Sequence, residues 1–167
     1  MAFHTTATRL WKHLPLEERL LAATAFYAEP PPELAGAALG ALVKARHLRP
    51  QAARSLAPDA QARILATVLD PGEPLAQGLL VSLHLGRRRA LLGSFLDALG
   101  LPHEDGVLKE DAEVAPVTAE KARAAAARLA SFPAAEVRTY LNTLWLQDPE
   151  RWAALEEALE GTPRAAP

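Results

Sequence analysis

The chain has 167 residues, of which half are apolar and 23% are charged, and its net charge is −2. This length and composition are typical of a globular protein with its own hydrophobic core, and they exclude an intrinsically disordered chain. The sequence contains no cysteine, which excludes disulfide bonds, zinc–thiolate sites, iron–sulfur clusters and thiol catalysis.

The N-terminal residues and the apolar segments predict a cytoplasmic bacterial protein that does not enter a membrane. The opening residues lack the basic start and the long apolar core of a signal peptide. The most apolar runs, residues 34–43 and 75–85, are much shorter than the roughly 18 apolar residues that a membrane span requires. Arginine outnumbers lysine 14 to 4, a bias that a GC-rich genome or a warm habitat produces.

Prolines divide the chain into short segments with helical periodicity. Proline suits the first turn of a helix, because its fixed φ and its missing N–H cost nothing there. In the N-terminal half, the predicted helices cover residues 5–13, 15–29, 33–48, 58–70 and 75–85, with a short additional turn at Pro50. In the second of these helices, Leu16, Leu20, Ala23 and Tyr27 recur at helical spacing and predict the side that faces the core.

Two further features of the N-terminal half predict close packing. Gly36 and Gly40 lie about one helical turn apart, so we expect another helix to approach closely at these positions. Residues 75–85 are apolar on nearly every side, which predicts the most buried helix of the protein.

The C-terminal half continues the same pattern. The predicted helices cover residues 87–99 and 118–131, and two more open at Pro133 and Pro149. Gly100 directly follows the first of them, and we expect it to cap the C-terminus of that helix. Residues 101–117 form the longest irregular stretch of the chain. No segment alternates apolar and polar residues with β-branched enrichment, so we predict no strands.

About nine short, proline-bounded helices predict an all-α fold, with residues 1–167 forming an irregular multi-helix bundle as a single domain. Alternatively, the chain divides into two parts joined by the loop 101–117. These are a helical array (residues 1–100) and a three-helix C-terminal unit (residues 118–160). A weak internal echo at an offset of 37 to 38 residues leaves HEAT-like helical hairpins, as in an α-solenoid, as an alternative.

Basic side chains are in excess in the middle of the chain. Residues 40–100 carry eight basic and four acidic side chains, whereas residues 101–167 carry seven and twelve. The candidate anion-binding residues are Arg46, Arg49, Arg54, Arg87, Arg88 and Arg89. Helical hairpins could bring these arginines to one end of the molecule, where they would bind phosphate, nucleic acid or an acidic partner.

A simpler interpretation is that these arginines stay solvated and complement the dipoles of helix C-termini. On this interpretation, replacing Arg87, Arg88 and Arg89 by alanine leaves the stability nearly unchanged. Nucleic acid is a disfavoured partner, because the chain as a whole is not basic and no aromatic residues interleave the arginines.

The loop after Gly100 contains a second candidate site. His103, Glu104 and Asp105 could bind a divalent metal ion or act as general acid and base. Their spacing matches neither an EF-hand loop nor a His-Glu-x-x-His motif, and an exposed acidic turn is the simpler explanation. The sequence also lacks a nucleophile elbow and a glycine-rich phosphate loop.

Three functions therefore stay open after the sequence has been read. The favoured one is a non-enzymatic helical protein-interaction or scaffold module, whose partner is another protein or a second copy of the chain. One alternative is a phosphate or nucleic-acid binder that uses the arginine clusters. The other is a metal-dependent enzyme centred on His103, Glu104 and Asp105. The lack of a catalytic signature disfavours an enzyme, and no cofactor is predicted.

Overall fold

The computed structural model describes residues 3–109 and 116–160 and confirms the all-α prediction. Over these residues the chain forms ten α-helices, two single-turn 3-10 helices and one very short β-hairpin. The α-helices are α1 (Ala7–His13), α2 (Leu16–Ala28), α3 (Ala35–Arg46), α4 (Pro50–Arg54), α5 (Pro58–Thr67), α6 (Glu73–Arg87), α7 (Arg89–Leu99), α8 (Ala119–Arg128), α9 (Ala134–Gln147) and α10 (Ala153–Glu160). Among the helices described, none is both long and apolar enough to cross a membrane.

Prolines set the starts of several helices, as the sequence predicts, and a hydroxyl cap sets the start of α1. Helices α4 and α5 begin at Pro50 and Pro58, and α2 and α9 begin directly after Pro15 and Pro133. At α1, the Thr6 hydroxyl instead accepts a hydrogen bond of 3.2 Å from the backbone N–H three residues further on. In each case the first turn lacks internal partners for its N–H groups, so proline costs little there and a hydroxyl supplies an acceptor.

The chain folds as two compact units. The N-terminal unit comprises residues 5–88 and contains α1 to α6. The C-terminal unit comprises residues 89–160 together with Phe3 and His4, and it contains α7 to α10. The boundary between the two units therefore falls between α6 and α7, ahead of the subdivision at residue 100 that the sequence leaves open.

Helix α6 provides much of the core of the N-terminal unit and packs against α1 and α2. It contributes more buried apolar side chains than any other described helix, which agrees with the prediction for residues 75–85. These side chains are Leu75, Ala76, Leu79, Leu80 and Leu83. The stretch is apolar on several sides because neighbouring elements cover more than one face of the helix.

The carboxylate of Glu73, the first residue of α6, caps α1. It accepts hydrogen bonds from the backbone N–H groups of Ala7 at 2.5 Å and Thr8 at 3.0 Å. Burial raises the pKa of the Glu73 carboxyl, but these hydrogen bonds and one from the Thr8 hydroxyl outweigh burial, and the net pKa is lowered. The Trp11 indole N–H also donates to the carbonyl of Val68 at 2.8 Å, so α1 is tied to the unit at both ends.

The predicted core face of α2 is right for Ala23 but wrong for its two leucines. Leu16 and Leu20 are 53% and 36% exposed, and the buried side of the helix consists of Ala22, Ala23 and Phe26. Helical spacing of leucines identifies a face but does not say which face packs inward. The small residues turn inward here, because α2 packs against both α5 and α6 and short side chains allow helices to come close.

The prediction of close packing at Gly36 and Gly40 is also wrong. Both glycines are exposed, and a Cβ atom at either position would meet nothing within 4 Å. Between α2 and α6, it is Gly86 of α6 that allows a close approach, since a Cβ there would lie 2.8 Å from the Cβ of Ala25 in α2. Because Gly86 has no side chain, α2 and α6 can lie closer together here than any larger residue would allow.

The C-terminal unit is organised around Phe95 of α7. The Phe95 ring meets Tyr140 of α9 edge-on, with 5.7 Å between ring centroids, and lies at a tilt 6.1 Å from Trp152. Helix α8 packs against α7 and α10, and its buried residues are the small Ala122 and Ala125. Aromatic rings thus fill one side of this core while alanines let α8 lie close on the other.

The first described residues of the chain are held on α9. The side-chain oxygen of Asn142 accepts the backbone N–H of His4 at 2.8 Å, and its amide nitrogen donates to the His4 carbonyl at 3.1 Å. The Phe3 ring lies 6.0 Å from the Trp145 ring. A buried amide with both ends paired orients the segment without leaving an unsatisfied polar group.

Gly100 caps α7 as predicted, but the prediction that the chain has no strands is wrong in the segment that follows. Gly100 has φ +69°, and the N–H of Leu101 bonds back to Leu96 at 3.0 Å, which closes the helix. Strands β1 (His103–Glu104) and β2 (Val107–Leu108) then pair antiparallel through the turn Asp105-Gly106.

The β-hairpin depends on its turn rather than on strand composition. Asp105 and Gly106 have φ values of +50° and +82°, a combination that a two-residue hairpin favours for Asp-Gly. A Cβ on Gly106 would lie 2.7 Å from the Cβ of Leu92, so only glycine fits against α7. Positions 110–115 of the predicted loop 101–117 lie outside the described residues.

Gly86→Ala tests the packing of α2 against α6, and Gly40→Ala in α3 is its control. Gly40→Ala should raise the free energy of unfolding by about 0.5–1 kcal/mol, because alanine favours a helix and its Cβ meets no neighbour. Gly86→Ala should lower it by about 1–3 kcal/mol, because its Cβ overpacks against Ala25. Urea denaturation followed by circular dichroism measures both changes, and equal stabilisation by the two variants would contradict the close approach.

Candidate binding sites

A cavity of about 330 Å³ opens among α2, α3, α4 and α5 in the N-terminal unit. This volume lies at the lower end of the range found for small-molecule sites. The lining is mostly apolar, with three polar side chains; the residues are Phe26, Tyr27, Pro30, Ala35, Gly36, Ala38, Leu39, Leu42, Arg54 and Gln61. Gly36, exposed and without a side chain, leaves part of the wall open.

The three polar residues of the cavity differ in how they are engaged. The Gln61 amide donates to the Ala53 carbonyl at 3.0 Å, which holds it in place. Arg54 is exposed, and over the described residues no hydrogen bond or ion pair engages its guanidinium. The Tyr27 hydroxyl is shielded from solvent and has no hydrogen-bond partner there. Burial raises the pKa of Tyr27 to about 12, so the phenol stays protonated at neutral pH.

Of the predicted anion-binding arginines, only Arg54 lines this cavity. Arg46 ends α3 and Arg49 directly precedes α4, and both are exposed. A cation at the end of α3 complements the helix dipole, as the simpler interpretation expects. Sequence reasoning missed the cavity itself, because its walls come from four helices that are separate in the chain. The signal available in the sequence was Gly36, a residue without a side chain inside a predicted helix.

The three consecutive arginines at the end of α6 and the start of α7 have different environments. Arg87 is exposed, whereas Arg88 is only 7% exposed and forms an ion pair with Glu18 of α2. Arg89 bonds to the carboxylate of Asp105 at 2.9 Å and to its carbonyl at 3.2 Å. The solvated interpretation is therefore wrong for Arg88. A shared anion site for the whole set stays a prediction.

His84 is buried one helical turn before Arg88. Burial, reinforced by the nearby positive charge of Arg88, lowers the pKa of His84 to about 3. The imidazole is therefore neutral in the folded protein at neutral pH. Its sequence position near a helix end gave no sign of this burial.

The candidate metal residues are engaged with the fold. The Nδ1 atom of His103 accepts the N–H of Gly106 at 3.2 Å, so the proton lies on Nε2, which is 3.0 Å from the Asp97 carboxylate. Asp105 binds Arg89, as described above. Over residues 3–109 and 116–160, no group of three His, Asp or Glu side chains could hold a metal ion. The contacts of His103 and Asp105 instead anchor the hairpin on α7, and metal binding stays a prediction.

The solvent-exposed side of α2 carries three leucines, here called the leucine face; Leu16 and Leu20 lie one turn apart, and Leu21 lies about 100° further around the helix. Leu16, Leu20 and Leu21 are 53%, 36% and 40% exposed. The opposite side of α2 already packs against α5 and α6. Leu69, which follows α5 in the same unit, is 46% exposed, and Val107 on β2 in the C-terminal unit is 45% exposed.

Comparison of the chain with protein-family models, with curated proteins and with solved structures gives no match. The cavity, the leucine face, the buried Arg88 pair and the hairpin are thus characterised by their own geometry and charge.

Two alanine substitutions test the buried ion pair. Arg88→Ala should lower the free energy of unfolding by about 2–4 kcal/mol, because it leaves the partly buried Glu18 carboxylate unpaired. Arg87→Ala, the matched control on an exposed neighbour, should change it by less than about 0.5 kcal/mol. Chemical denaturation gives both values. Equal stability of the two variants would show that Arg88 is solvated after all.

A pH titration of stability tests the burial of His84. The unfolded chain binds a proton at His84 near pH 6.5, whereas the folded protein does so only near pH 3. The free energy of unfolding should therefore fall as the pH decreases below about 6.5, by at most about 1.4 kcal/mol per pH unit for one proton. His84→Leu should lose this part of the slope between pH 6.5 and 4.5. An unchanged slope in the variant would mean that His84 titrates normally.

Proposed function

We propose that this chain is a non-enzymatic helical interaction module, and that its leucine face binds a second copy of the chain. The observation that carries the proposal is the exposure of Leu16, Leu20 and Leu21 on a helix whose other side is already covered. Apolar side chains gathered on one exposed face are typical of interaction surfaces, whereas singly scattered ones are not.

The spacing of the leucines suits a twofold pairing of α2 with itself. A symmetric dimer uses the same patch on both copies, so the patch must be self-complementary. In an antiparallel pair centred between Leu20 and Leu21, the charged Glu17 of one copy lies opposite Thr24 of the other. Like charges are thereby kept apart while Leu20 of each copy meets Leu21 of the other, and a net charge of only −2 adds little long-range repulsion.

The small surface area of one short helix limits the expected affinity of the dimer. Helix α2 has 13 residues and is about 20 Å long. Fully burying an exposed leucine contributes about 1.5–3 kcal/mol, and these leucines are already partly covered. Association itself costs several kcal/mol. The dimer is therefore weak, with a dissociation constant on the order of millimolar.

The alternative functions have less support from the contacts. A phosphate or nucleic-acid binder needs several uncommitted arginines together, yet Arg88 and Arg89 are engaged with carboxylates. A metal-dependent enzyme needs His103 and Asp105 as ligands, and both already bind neighbouring side chains. These engagements favour the interaction module.

Sedimentation equilibrium over a range of protein concentrations tests the proposal. The weight-average mass of the wild type should rise above the monomer mass of 17.9 kDa as the concentration increases. The double variant Leu16→Glu/Leu20→Glu should stay monomeric with unchanged thermal unfolding, because both side chains are exposed in the monomer.

Val107→Glu is the matched control, since Val107 is 45% exposed but lies on β2 in the C-terminal unit and not on α2. This variant should dimerise like the wild type. A wild type that stays monomeric at every concentration, or a Val107→Glu variant that loses association as the double variant does, would overturn the proposal.

A further inference from the structure

The cavity among α2, α3, α4 and α5 is independent of the proposed dimer surface. We infer that this cavity binds a small monocarboxylate with an apolar body, such as a medium-chain fatty acid. The apolar body lies among Tyr27, Pro30 and Leu39, and the carboxylate meets Arg54 on the solvent side.

The size of the cavity limits the ligand. A volume of about 330 Å³ holds about eleven non-hydrogen atoms, at the roughly 30 Å³ that a water-sized group occupies in a liquid. This is the size of an eight- to nine-carbon carboxylic acid. A folded peptide or a nucleotide is too large to enter.

The walls favour an apolar body. Phe26, Ala38 and Leu42 are almost completely buried and form a rigid base, and Leu39 is partly exposed beside them. The opening between α2 and α3 persists because Gly36 projects no side chain into it. Transfer of an alkyl chain from water to such a surface is favourable in proportion to the apolar area that is covered.

The charge at the cavity selects an acid. Arg54 is a cation without a protein partner over the described residues, and no carboxylate side chain lines the cavity to attract an amine. A guanidinium binds a carboxylate through two parallel hydrogen bonds. Inorganic phosphate is disfavoured, because the remaining lining offers it few donors. The unpartnered Tyr27 hydroxyl, shielded in the free protein, can turn to donate to the same carboxylate.

The test uses the full chain with three probes of equal chain length, namely octanoate, 1-octanol and octylamine. Isothermal titration calorimetry gives the affinities, and chemical-shift changes in ¹H–¹⁵N spectra identify the site. Octanoate should bind with shifts at α2, α3 and Arg54. Octanol should bind about tenfold or more weakly, and octylamine should not bind, since only the acid pairs with the guanidinium.

Two variants separate the apolar and the charged parts of the site. Arg54→Ala should weaken octanoate about tenfold or more and leave octanol unchanged. Gly36→Leu should weaken both probes, because its side chain fills the opening at a position where a Cβ meets no neighbour, so the fold is kept. Arg46→Ala, an exposed arginine outside the cavity, is the matched control and should bind octanoate normally.

Three results would overturn the inference. They are equal binding of octanoate and octanol by the wild type, absence of octanoate binding, and octanoate binding that Gly36→Leu does not change. The dimer variant Leu16→Glu/Leu20→Glu should bind octanoate like the wild type. The experiments therefore distinguish a failure of the proposed dimer from a failure of the proposed binding site.

Discussion

Helix α2 can lie close to α5 and α6 because the side chains between them are small. Ala22 and Ala23 face inward, and Ala25 meets Gly86 where no further atom would fit. The remaining features of the N-terminal unit follow from this contact. Since the alanines occupy the inner side of α2, its leucines must project outward. Beyond Phe26, α3 and α4 complete the cavity without filling it.

The close approach of α2 to α6 also brings polar groups out of water. Arg88 and Glu18 pair where α6 ends, and His84 lies buried one turn earlier. An isolated charge at such a position would be costly, whereas a paired one is tolerated and fixes how the helices are aligned. Neutral His84 avoids a second buried positive charge beside Arg88. This end of α6 is thus specified by charge as well as by apolar packing.

The sequence by itself determined the helical content and most helix starts of this protein. Pro50, Pro58 and Gly100 act through their own backbone geometry, and the Thr6 hydroxyl acts on a backbone N–H only three residues away. None of these depends on distant residues. The Asp105-Gly106 turn belongs to the same class. The sequence indicates a turn at these two residues. It does not indicate the hairpin around the turn, because strands of two residues are too short to show a periodicity.

Only the tertiary structure decided which surfaces are buried and which are available. Leucine spacing on α2 could not reveal that Leu16 and Leu20 face solvent, because that choice depends on the size of the side chains that α5 and α6 present. Three adjacent arginines look alike in the sequence, yet Arg88 is buried because Glu18 lies within reach across two helices. The cavity likewise exists only where four helices, distant in the chain, leave space between them.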